Sequence, residues 1–166
     1  LASADQYVID IRSADDYAAG HIEGAVNVTA GNVLTHYEAN NLEDVATVVI
    51  ACYSGQTAAW VTGLMHTMGY TNVKDMKWGM SSWCEATSSP WVNKVAAGDE
   101  YATQLVTDAT AKAEAGDFPT LATGETEATD ILRARVEAIF AETFDAAKVP
   151  AGTVFGALDS YYIVNY

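Results

Sequence analysis

Val48-Val49-Ile50-Ala51 runs directly into Cys52-Tyr53-Ser54-Gly55-Gln56-Thr57-Ala58, and a helical pattern begins at once. A buried strand that ends in a cysteine and turns through a glycine into a helix aims several backbone N–H groups, and the positive end of the helix, at one sulfur. That arrangement stabilises a thiolate. The competing reading is a cysteine that only packs as a small hydrophobe at a strand end. The loop weighs against it: Ser54, Gly55, Gln56 and Thr57 are poor core material but suit a tight turn whose amides stay free for an anion.

The 166 residues suffice for one domain of ordinary size, or one domain with a long extension. Eight basic residues stand against 22 acidic ones, for a formal net charge of −14. The imbalance is even along the chain: residues 1–90 carry 3 basic and 10 acidic residues, residues 91–166 carry 5 and 12. Neither half offers a basic patch, which argues against nucleic acid and anionic membranes as partners. Any anion site must be local, built from amides and hydroxyls. No run approaches the roughly 18 uninterrupted apolar residues of a membrane span, and no basic-then-apolar signal pattern opens the chain. The chain fits the cytoplasm, or the periplasm if a leader has been removed. Cys52 and Cys84 make neither a disulfide framework nor a zinc-ligand spacing, so neither a metal nor a cofactor is expected.

Tyr7 to Ile11 reads as a strand buried on both faces, Asp15 to Gly20 as a short helix closed by glycine, and Ala25 to Val28 as a second strand. A polar stretch around His36 to Asn41 precedes a third strand, Thr47 to Ala51. Thr57 to Met68 is a helix with Val61, Leu64, Met65 and Met68 at helical spacing, ended by Gly69; His36 and His66 read as surface or helix histidines. Asn72 to Met76 is a fourth strand. Short apolar strands alternating with helices predict an α/β fold: a central parallel sheet flanked by helices on both faces, with function at the carboxyl ends of the strands. Residues 1–90 would form this domain. Residues 91–128, rich in Ala, Thr, Asp and Gly, read as an extended connector. Residues 129–166 supply a C-terminal helical and extended extension. Its helix runs from Thr129 to Phe144 with Ile131, Leu132, Val136, Ile139 and Phe140 on one face, and its terminal strand, Tyr162 to Tyr166, is similar to Tyr7-Val8-Ile9-Asp10-Ile11. Two readings stand side by side: this strand starts a second copy of the unit, or the likeness is only that of two β-rich pentapeptides; in the first case its apolar residues would pair with the sheet or with another chain as a homodimer or strand exchange.

Four motifs in order resemble the rhodanese-like domain family: Asp10-Ile11-Arg12, then Tyr17-Ala18-Ala19-Gly20-His21-Ile22-Glu23-Gly24-Ala25-Val26-Asn27, then the Cys52 loop, then Met76-Lys77-Trp78-Gly79-Met80-Ser81-Ser82-Trp83. The resemblance covers roughly residues 1–85. It implies a thiosulfate sulfurtransferase whose Cys52 takes a sulfane sulfur from thiosulfate or polysulfide, holds it as a persulfide, and passes it to a thiol or cyanide. It implies substrate binding by Tyr53, Ser54, Gly55, Gln56, Thr57, Ala58 and Trp78, and structural support from Asp10, Arg12 and His21. Tyr53 and Gln56 would set access to the sulfur.

The chain departs from the family in two places. Many active members carry an arginine where Thr57 stands here, and its loss removes a charge-assisted contact worth about 1.5 to 3 kcal/mol, which favours a weaker use of thiosulfate or a donor such as polysulfide. A first strand expected ahead of Tyr7 is missing, so either the N-terminus has been trimmed or a segment near Val149 to Leu158 takes that place. A loop without arginine argues against the related phosphatases. The alternative is a catalytically weak module for protein binding or redox sensing. Trp78, Trp83 and Cys84 are expected mainly as wall and packing residues; a role for Cys84 as a thiol that resolves Cys52 is the lesser reading.

Overall fold

The computed structural model describes residues 5–96, 101–109, 111 and 114–164. Alternation of short β-rich runs with helices produces a four-stranded, all-parallel sheet of β1 (Gln6–Asp10), β2 (Val26–Asn27), β3 (Thr47–Ala51) and β4 (Val73–Asp75), in the order β2-β1-β3-β4. The register is set along β1, where Gln6 stands against Thr47 and Asp10 against Ala51. Cys52 therefore emerges at the carboxyl edge, next to the residues that follow β1.

One face of the sheet presents Ile9, Val48 and Ile50, all fully buried. Three helices cover it: α2 (Val33–Ala39) with Val33, Leu34 and Tyr37, α3 (Gln56–Thr67) with Ala58, Val61 and Met65, and α5 (Ala128–Glu142) with Val136 and Phe140. On the other face Val8 and Val49 floor a trough of about 380 Å³ bordered by Ile22, Met76 and Trp83. Helix α1 (Ala14–Ala19) joins β1 to β2, and Ser13 caps it by accepting the Asp16 N–H on its Oγ at 3.1 Å. Gly69, at φ +95°, lets the chain leave α3 in the left-handed conformation that closes helices.

Several expectations change. The polar stretch around His36 belongs to α2: Val33, Leu34 and Tyr37 bury one side of a seven-residue helix, too short for its periodicity to stand out. The connector begins with a helix, α4 (Ser89–Ala96). Residues 151–155 form a short helix, α6 (Ala151–Phe155), so the segment near Val149 to Leu158 does not supply a missing strand. Tyr161 to Val164 adds no strand to the sheet, and Asn165 and Tyr166 lie outside the described residues. A β-rich run gains ladder hydrogen bonds only beside a free edge, and among the described residues none reaches this one.

Helix α5, read from sequence as part of a C-terminal extension, packs into the domain core. Phe140 meets Trp60 of α3 edge-on with ring centroids 5.4 Å apart, and Arg133 reaches Glu38 of α2 at 2.5 Å. Among the described residues no helix is long and apolar enough to cross a membrane.

Candidate active site

The sulfur of Cys52 receives two backbone donors, the N–H of Gly55 at 3.2 Å and the N–H of Ala58 at 3.4 Å. Both come from the turn that opens α3. Gly55 makes the geometry available: it precedes the helix at φ +89°, which a residue with a Cβ adopts only under strain. Cys52 is buried, Ser54 and Thr57 are half-buried, and Gln56 is exposed. Partial positive charge from the amides and the first turn of a twelve-residue helix converges on one sulfur atom.

The turn after β4 holds this loop from below. The N–H of Met80 donates to the Cys52 carbonyl at 2.8 Å, and Ser81 donates its N–H and its hydroxyl to the Tyr53 carbonyl at 2.9 and 2.8 Å. Gly79 sits so close that a Cβ there would lie 2.5 Å from the Cys52 oxygen. Trp78 takes a left-handed conformation, φ +65°, unusual for a residue with a side chain. Its ring is exposed, packs against Trp91 of α4 at 4.7 Å, and lies under the Lys77 ammonium at 5.5 Å. Of the two expected roles, wall and core, neither Trp78 nor Trp83 takes the core one: both are exposed, because the turn that carries them lies outside the sheet, and Trp83 serves as a wall of the trough beside Val8 and Val49.

Asp10 and Arg12 form a buried ion pair. The guanidinium donates from Nε to both carboxylate oxygens at 3.1 Å and from Nη2 to Oδ2 at 2.7 Å, and Nη2 also reaches the Gly20 carbonyl at 2.7 Å. The bond to Asp10 holds the Arg12 guanidinium more firmly charged than usual. His21 stacks on Tyr17 with centroids 3.8 Å apart, and its Nδ1 lies 2.8 Å from the Tyr17 carbonyl. These three residues tie β1, α1 and the following loop together.

Sequence reasoning missed the partner of Tyr53. Its hydroxyl donates to Asp16 Oδ2 at 2.5 Å and accepts the N–H of Ser13 at 3.2 Å. Hydrogen bonds from the Ser13 hydroxyl and then from Tyr53 hold the Asp16 carboxyl below the usual carboxylate range. The Ser13-x-x-Asp16 spacing signals a helix start, but nothing local points across 37 residues to Tyr53. Cys84 is exposed rather than packed, because the turn after Trp83 faces solvent. It lines a cleft of about 530 Å³ with Arg12, Asp16, His21, Met80 and Thr87, and its thiol is pulled below the ordinary value chiefly by the Thr87 hydroxyl. His36 lies 2.9 Å from the Tyr7 hydroxyl, and His66 lies 2.6 Å from the Val73 carbonyl, each a scaffold contact.

Residues 1–86, which include this cysteine at the carboxyl edge of a parallel sheet, match the rhodanese-like domain. The chain belongs to the rhodanese-like domain family. It is 34% identical over 76 residues to thiosulfate sulfurtransferase GlpE of Pseudomonas fluorescens, covering 46% of this chain and 68% of that protein. It is 26% identical to the adenylyltransferase and sulfurtransferase UBA4 of the yeast Meyerozyma guilliermondii, covering 50% of this chain and 21% of that protein. The solved structure of a human single-domain sulfurtransferase, TSTD1, overlaps with a TM-score of 0.41 at 22% identity, over 48% of this chain and 80% of that one. The rhodanese-like match leaves residues 87–166 outside it, although α5 from that stretch completes the core.

Proposed function

We propose that this rhodanese-like protein transfers a sulfane sulfur from thiosulfate or polysulfide to a thiol or cyanide, through a persulfide on Cys52. The observation that carries this reading is the pair of amides, Gly55 and Ala58, directed at Cys52 Sγ. In the first half-reaction the Cys52 thiolate attacks the outer sulfur of thiosulfate. The sulfur–sulfur bond of the donor breaks, its electron pair leaves on sulfite, and Cys52 keeps the sulfur as an anionic persulfide. In the second, a thiolate or cyanide attacks that terminal sulfur and Cys52 departs as a thiolate.

The persulfide carries one negative charge that water would otherwise solvate. Amides along Ser54 to Ala58 supply fixed donors in its place, at no cost of reorientation during the reaction. Gln56 and Thr57 add neutral donors at the mouth, Trp78 walls one side, and Asp10, Arg12 and His21 keep the scaffold rigid. Thr57 offers no cation to a sulfonate, so polysulfide, which needs none, is the better donor.

Intact mass spectrometry tests this with wild type and Cys52→Ala, exposed to thiosulfate or polysulfide and then to cyanide. The expected result is a gain of one sulfur, about 32 Da, that requires Cys52 and vanishes with cyanide. A gain that survives in Cys52→Ala, or no gain from either donor, overturns the reading in favour of a binding or redox-sensing module.

A further inference from the structure

The loop that carries Cys52 has little regular structure of its own. Tyr53, Ser54 and Gly55 lie between the end of β3 and the start of α3, and the turn depends on a left-handed glycine. Amides directed at a sulfur are useful only if they stay directed, because a displaced donor loses most of its electrostatic effect. Two backbone ties, from Met80 and Ser81, support the loop from the β4 side.

The tie from the opposite side is a side chain. Tyr53 spends both capacities of its hydroxyl on the start of α1, donating to Asp16 and accepting from Ser13. Asp16 is itself oriented, since the Ser13 hydroxyl donates to the same carboxylate at 2.6 Å while accepting the Asp16 N–H. The start of α1 is anchored in turn, because Arg12, one residue before Ser13, is locked to Asp10 at the end of β1. An unbroken set of contacts thus runs from the carboxyl end of β1, through Asp10, Arg12, Ser13 and Asp16, to the residue next to the nucleophile.

We propose that Asp16 and Tyr53 form a latch that positions the Cys52 loop, so that both are positioning residues for persulfide formation. The proposal rests on Cys52 being the sulfur-carrying nucleophile, and it assigns the Tyr53 hydroxyl to the scaffold rather than to the substrate. The latch acts on reactivity and not on donor affinity: neither group needs to touch the donor, and the amides it steadies act most on the anion that develops at the sulfur.

The test is a double-mutant cycle of Tyr53→Phe, Asp16→Asn and the pair together, all in a Cys84→Ser background so that a single thiol reports. Three quantities are read: the rate of Cys52 alkylation by iodoacetamide at fixed pH, kcat and KM for sulfur transfer from thiosulfate or polysulfide to cyanide, and Tm. Each single variant is expected to lower the alkylation rate and kcat about tenfold with KM nearly unchanged, and the double variant to be no worse than the poorer single one. Losses that multiply in the double variant would overturn the latch, as would unchanged rates or a rise in alkylation; a rise would make Tyr53 a cover over the sulfur. If Asp16→Asn lowers Tm enough to unfold the protein, Tyr53→Phe decides alone, since it removes one hydroxyl and leaves the α1 cap intact. Wild type that transfers no sulfur would defeat the proposed function, while the alkylation cycle would still decide the latch.

Discussion

The backbone N–H of Met80 donates to the carbonyl oxygen of Cys52 at 2.8 Å, so the cysteine hangs from the turn that follows β4. Gly79 makes this approach possible. The contact couples the last motif of the domain to the cysteine loop and explains why a turn so poor in buried side chains matters to the site.

Gly79→Ala should therefore disable Cys52. The added Cβ would lie 2.5 Å from the Cys52 oxygen and 2.7 Å from the Gly55 nitrogen, both backbone atoms that cannot rotate away. Alkylation of Cys52 is expected to slow at least about tenfold, since the amides leave their line to the sulfur. Gly69→Ala is the control: it also has a positive φ, but nothing lies within 4 Å, so it should cost about 1 kcal/mol of stability and leave Cys52 reactivity unchanged.

Arg12→Ala should destabilise the protein by about 3 to 5 kcal/mol, because it leaves the Asp10 carboxylate buried without its partner. Urea unfolding measures it. Replacing Asp10 and Arg12 together by apolar residues should cost less than Arg12→Ala alone, and a double variant as unstable as the single one would show that the ion pair contributes more than charge compensation.

Stability should fall with acid through Glu38. Arg133 above all, and Tyr70, hold the Glu38 carboxyl below its ordinary value. A depressed folded value means stabilisation that is fully present above the unfolded carboxylate value of about 4.3 and is lost as pH falls through the lower folded value. Both partners are partly exposed, so the effect is under about 1 kcal/mol. Glu38→Gln should lower Tm at neutral pH and converge with wild type in acid; a constant offset across pH would exclude the pair as its source.

Phe140→Ala should cost about 3 kcal/mol, as expected for emptying a buried aromatic site. Denaturant unfolding followed by circular dichroism should show one transition at a lower midpoint. An unchanged midpoint would make α5 an independent appendage instead of a layer of the core.

Local signals account for what was legible beforehand. The run Val48 to Ala51 ends at Cys52 in a glycine turn, and both the strand and the helix that follow it are short-range patterns that need no tertiary context. The parallel sheet and the site at its carboxyl edge follow from their alternation, and the buried Asp10-Arg12 pair lies within three residues of sequence. Tertiary structure decided the rest. Asp16 is 37 residues from Tyr53, and Arg133 is 95 residues from Glu38, so each pair meets only once the sheet has closed. The same is true of exposure: Trp78, Trp83 and Cys84 read as wall and packing residues but are exposed on a turn outside the sheet, whereas Phe140, in a segment that reads as an extension, fills the core beside Trp60. Periodicity tells a residue which side of its own helix or strand it occupies. What that side faces is set by contacts between distant segments, and no local pattern encodes them.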